Sequence, residues 1–111
     1  MLETLGKILV PVPGTLVRVT NNLAQPAIRY ACHGVLFQAL PSNTGRVYVG
    51  TSALNRGALT GVYAVLAVPT TNQLPSFSIA LTLAPNAVQL QEMYLDADNV
   101  NDGVIITTLV T

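Results

Sequence analysis

The chain has 111 residues, of which 50% are apolar and only 9% charged, and five basic residues balance five acidic ones. That excludes a basic nucleic-acid binder, which needs many phosphate-neutralising cations, a polybasic membrane patch and a disordered chain. No apolar run reaches the ~20 residues of a membrane-spanning helix.

The length suits one domain with a real core. Charge at 9% is sparse against the usual ~25%. Soluble monomers cover their surface with mixed charge, and zero net charge removes the repulsion between copies. A subunit whose surface is partly covered by partners is therefore expected. Cys32 is the single cysteine, so no internal disulfide forms and a disulfide-rich secreted scaffold is excluded. Glu3 and Lys7 interrupt the first apolar stretch, which predicts no signal peptide and synthesis in a cytosol.

Short apolar runs separated by turn residues follow in order. Residues 5–10 form the first, cut by Pro11, Pro13 and Gly14. Prolines this close suit an edge or an arm, since each lacks a donor. Residues 1–14 are accordingly expected as an N-terminal arm and 15–111 as a β-sandwich domain. Residues 15–20 alternate as a half-buried strand, with Val17 and Val19 on one face. Asn21 and Asn22 supply a turn. The apolar stretch from Ile28 to Leu40 divides near Gly34, with Val35 to Phe37 as a core strand. Asn43, Thr44 and Gly45 form the sharpest turn.

Val47 to Val49 read as a strand ending at Gly50, and Thr51 to Thr60 as a polar loop containing Gly57. Residues 61–68 form a nearly all-apolar strand, and Pro69 to Pro75 a long connection. The clearest alternation spans 76–83: Phe77, Ile79, Leu81 and Leu83 point one way, and small residues point the other. Residues 90–96 and 103–111 complete the set, and only Ala87 to Met93 has enough helix formers to compete. About seven or eight strands with these turn spacings predict an all-β antiparallel sandwich, jelly-roll or immunoglobulin-like.

No residue set predicts catalysis. Cys32 and His33 are adjacent, and neighbours in a strand face opposite ways, so they do not converge on a substrate. Asp96, Asp98 and Asp102, with Asn99 and Asn101, resemble a calcium loop only superficially. Val100 and Thr107 stand where an EF-hand needs an oxygen ligand and a bidentate glutamate. A polar hairpin turn closing on Asp102 and Gly103 is expected instead. Glu92 has no evident partner for glycoside hydrolysis. Asn43 to Arg46 is no phosphate loop, lacking a lysine and a following helix. Lys7, Arg18, Arg29, Arg46 and Arg56 are scattered, as on solvated faces and interface rims. No catalytic, cofactor-binding or metal-binding residue is assigned, and no enzyme is expected.

The segment Asn43-Thr44-Gly45-Arg46-Val47-Tyr48-Val49-Gly50, then a loop and an apolar strand, resembles small structural proteins of tailed bacteriophages. Met93-Tyr94-Leu95-Asp96-Ala97 followed by Asp102-Gly103-Val104-Ile105-Ile106 continues the likeness to the C-terminus. The resemblance implies a virion β-sandwich, closest to a decoration or cement protein. Such a protein is assembled in the host cytoplasm and binds the major capsid protein on the head exterior as a homo-oligomer, a trimer favoured. Other virion components of tail, neck or head fibre are the alternative. So is a receptor- or carbohydrate-binding module, for which few aromatic residues are present.

Overall fold

A computed structural model describes residues 2–20, 31–32, 34–80, 88–89 and 92–109. Among them no α-helix occurs. The strands are β1 (Leu2–Val10), β2 (Val17–Arg18), β3 (Ala31–Cys32), β4 (Gly34–Ala39), β5 (Val47–Asn55), β6 (Thr60–Leu66), β7 (Ser76–Ala80), β8 (Val88–Gln89), β9 (Tyr94–Ala97) and β10 (Asp102–Leu109). Two four-stranded antiparallel sheets result, ordered β1-β10-β4-β7 and β2-β9-β5-β6, with a small β3-β8 ladder beside them.

The pairing is nested. β1 pairs with β10, β2 with β9, β3 with β8, β4 with β7 and β5 with β6, all antiparallel. The chain is thus one long doubled ribbon whose tip is the β5–β6 turn. Two further ladders, β10–β4 and β5–β9, roll it up. This is the jelly-roll order, which strand alternation alone left open against the immunoglobulin-like one.

The strand periodicity explains the core. Ile8, Val10, Val35, Phe37, Ala39, Val104 and Ile106 point inward from the first sheet. Val47, Val49, Leu66, Leu95 and Ala97 meet them from the second. Phe37 and Phe77 stack with centroids 6.3 Å apart. Val19 is fully buried and Val17 packs on the cluster, as the alternation over 15–20 predicts, although the ladder itself is confined to Val17–Arg18.

Several expectations are revised. The segment assigned to an arm is instead an integral edge strand: Leu2 to Val10 pair along β10 from Leu109 to Asp102. Ile8 is 2% exposed and Val10 fully buried, so burial of this apolar run outweighs the prolines, which fall just after the strand. The domain boundary after residue 14 therefore does not separate an arm from the sandwich.

The expected loop at 51–60 is a hairpin, because β5 continues to Asn55 and β6 starts at Thr60. Its polar residues are those of an irregular ladder in which Thr51 to Leu54 bulge opposite Gly61. A Cβ on Gly50 would run into the Gly61 carbonyl, and Gly61 itself has φ +66°, so glycine is required at both. Asp98 to Asn101 do form a turn, but not a hairpin. They join β9 in one sheet to β10 in the other. Asn101 sits at φ 62° and its N–H donates to the Val10 carbonyl.

The Asn21–Asn22 turn, Ile28 to Tyr30, His33, and Leu81 and Leu83 of the long alternation lie outside the described residues. Of the stretch with helical tendency, Val88 and Gln89 are strand, paired with β3.

Candidate functional site

Five charged residues, Arg46, Arg56, Asp96, Asp98 and Asp102, gather at one corner of the sandwich, on two structural devices. The first begins with the turn after β4. Asn43 is 7% exposed, and its side-chain amide donates to the Gly103 carbonyl at 2.8 Å while accepting from the Gly103 N–H at 2.9 Å. One step away, the Asp102 carboxylate accepts from the backbone N–H groups of Thr44 at 3.0 Å and Gly45 at 2.7 Å. Asn43 and Asp102 thereby satisfy buried backbone groups on each other's segment. Gly103 is obligatory in this clamp, since a Cβ there would collide with the Ile8 carbonyl.

The second device lies on the outer face of the second sheet. Val47 and Val49 point into the core, so Tyr48 between them points outward, as does its cross-strand neighbour Asp96. Both are nevertheless buried, at 1% and 2% exposure. The irregular β5–β6 hairpin brings Arg56 back over them. Arg56 lies 3.4 Å from Asp96 and 3.0 Å from Asp98, and Arg46 lies 3.1 Å from Asp98. The Tyr48 hydroxyl donates to Asp98 at 3.1 Å. The Arg46 guanidinium sits over the Tyr48 ring at 5.6 Å, a cation–π contact. Asp96 also accepts from the Gly14 N–H at 2.8 Å, which ties the β1–β2 connection to the cluster. These groups line an open cleft of about 600 Å³.

The electrostatics suit a structural network. Partial burial opposes ionisation of Asp98, but hydrogen bonds from Arg46, Arg56 and Tyr48 prevail and hold its carboxyl below the usual range. Burial, reinforced by the bond to Asp98, pushes the Tyr48 phenol up. The hydrogen bond to Asp98 raises the Arg46 guanidinium further. Asp96, Asp98 and Asp102 are each engaged by donors from the chain, and Arg46 and Arg56 each face an aspartate. Such a set binds segments together; it presents no poised acid, base or nucleophile.

The three aspartates singled out in the sequence therefore do not converge. Asp96 and Asp98 belong to the arginine network and Asp102 to the clamp. Among the described residues no three metal-ligating side chains come together. Sequence reading missed Asn43 as a clamp and Arg46, Arg56 and Tyr48 as a network. The available signal was strand parity, which sets Tyr48 on the face opposite Val47 and Val49.

A second groove, of about 330 Å³, crosses the same outer face between Arg18, Thr51, Ser52, Tyr63, Glu92 and Tyr94. Arg18 donates to the Tyr94 hydroxyl at 2.7 Å. Glu92 sits here, and Tyr63 and Tyr94 line the same groove.

The outer face of the first sheet is different. Strand parity places Lys7 beside Ile105 and Gln38, and Leu36 beside Thr107, with Leu9 at the end. Leu9 and Leu36 are 37% and 38% exposed. Lys7 is the one charged residue among these positions.

Comparison with protein-family models, with characterised proteins and with solved structures finds no match.

Proposed function

We propose that this chain is a virion structural protein that decorates the head exterior of a tailed bacteriophage. It acts as a homo-oligomer, a trimer favoured, that binds the major capsid protein and stabilises the shell. One observation carries the reading: among the described outward positions of the first sheet, Lys7 is the one charge and Leu9 and Leu36 are exposed. Such a face is costly to leave in water and well suited to lie flat on another protein. The corner network complements it, since cross-linked loops keep that face rigid and limit the ordering cost of binding. The resemblance of the turn-strand-glycine segment and of the C-terminal strands to phage structural proteins points the same way.

The test is co-sedimentation of the purified protein with heads of the phage that encodes it. Saturable binding at hundreds of copies per head is expected, with a higher temperature of head disruption. Leu36→Glu should weaken binding at least tenfold while far-UV circular dichroism is unchanged. Protein that stays in the supernatant, or a handful of copies confined to tails, overturns the shell assignment.

A further inference from the structure

The groove that Arg18, Thr51, Ser52, Tyr63, Glu92 and Tyr94 line uses its polar groups differently from the corner cleft. At the corner, Arg46 and Arg56 are tied to aspartates. In the groove the two opposite charges stay apart. Arg18 donates from Nε and Nη2 to the Tyr94 hydroxyl, at 3.0 and 2.7 Å, with its guanidinium 5.4 Å from the ring centroid. Glu92 is exposed, and among the described residues it has no hydrogen-bond or ion-pair partner.

All four strands of the second sheet contribute. Arg18 comes from β2, Tyr94 from β9, Thr51 and Ser52 from β5 and Tyr63 from β6. Groups held on strands are positioned more firmly than groups on loops. Tyr63 is 52% exposed. The Tyr94 hydroxyl accepts from Arg18, so its own hydrogen is left to donate. Thr51 Oγ1 accepts from the Ala53 N–H at 3.2 Å, which leaves its hydroxyl hydrogen available as well.

We propose that this groove binds a neutral saccharide. One cation and one anion line it, so its charge cancels and favours no ionic ligand. The tyrosine rings offer apolar surface on which the C–H groups of a pyranose can pack. Sugar hydroxyls both donate and accept, and they need partners of both kinds. Glu92 accepts, while Arg18, Tyr94, Thr51 and Ser52 can donate. The volume of about 330 Å³ lies at the small end of the ~300–1,000 Å³ usual for ligand sites, which suits a mono- or disaccharide. The inference goes beyond the decoration reading and stands without it. The groove lies on the outer face of the second sheet, the side of the sandwich opposite the face assigned to the shell.

NMR titration of the isotope-labelled full chain tests it. The panel is neutral hexoses, deoxyhexoses, N-acetylhexosamines and their disaccharides, with N-acetylneuraminic acid and glucuronic acid as acidic controls. A neutral sugar should bind with Kd about 1 mM, as expected for so small a ligand, and shift signals of Tyr63, Glu92 and Tyr94. Tyr63→Ala and Glu92→Gln, both at exposed positions, should each weaken binding about tenfold with unchanged circular dichroism. Val100→Ser, on the corner turn, should bind as the wild type does. No response to any neutral sugar, a response to the acidic sugars alone, or shifts outside the groove overturns the proposal, as do folded groove variants that bind normally. A chain that takes a sugar here but ignores phage heads upholds it and removes the decoration reading alone.

Discussion

The charged corner and the connection between β6 and β7 are built from the same chain by opposite means. At the corner, Asn43, Asp102, Asp98 and the two arginines hold segments far apart in sequence through polar bonds to each other and to backbone. In the connection, Val68 and Leu74 stand partly in water, within a stretch of sequence that holds no charged residue between Arg56 and Glu92. The difference shows where this molecule obtains rigidity. A loop corner cannot be secured by burial alone, because its backbone groups need partners.

Substitutions can break or sharpen this contrast. Asp102→Ala should have the largest effect, about 3 kcal/mol, because it orphans the N–H groups of Thr44 and Gly45; urea unfolding measures it. A loss under 0.5 kcal/mol would mean the clamp is incidental. Asp98→Ala should cost about 1–2 kcal/mol. It leaves the Tyr48 hydroxyl without its acceptor, whereas the partly exposed ion pairs add little.

The pH dependence follows from the same group. The Asp98 carboxyl is held below its ordinary value of 3.8. Its contribution is complete above the unfolded value and disappears as pH falls through the lower folded one. Tyr48 works in the opposite direction. Its raised phenol favours the folded state below the ordinary value of 10.0 and ceases to do so as pH climbs through the folded one. Thermal melts should therefore lose less Tm in Asp98→Asn than in wild type between pH 5 and pH 2. Equal losses would exclude Asp98 as the source. The smallest change is expected in the β6–β7 connection, where Val68, 45% exposed, can become Ser at a cost below about 0.5 kcal/mol in urea unfolding.

Much of the fold was legible in the residues. Alternation at Val47 and Val49, at Val35 and Phe37, and at Val104 and Ile106 identifies strands and their inward faces, since parity is a local property. The turn at Asn43 to Gly45 was legible for the same reason. The pairing of Asn43 with Gly103 was not, because no local pattern encodes a contact sixty residues away. Tyr48 and Asp96 were misleading in another way. They sit on an outward face yet are buried, because Arg56 returns through an irregular hairpin whose bulge only Gly50 and Gly61 hint at. The first strand was misjudged because Pro11 and Pro13 advertise a break, while Ile8 and Val10 fill the core before it.

The doubled ribbon also dictates an order of assembly. Its tip, where Asn55 faces Thr60, closes a loop of a few residues, whereas its open end must bring Leu2 beside Leu109. Chain closure grows costlier with separation, so the ribbon is expected to zip from the tip outward, with the β1–β10 seam sealed last. That seam is then the place where the domain would first peel apart under mechanical load.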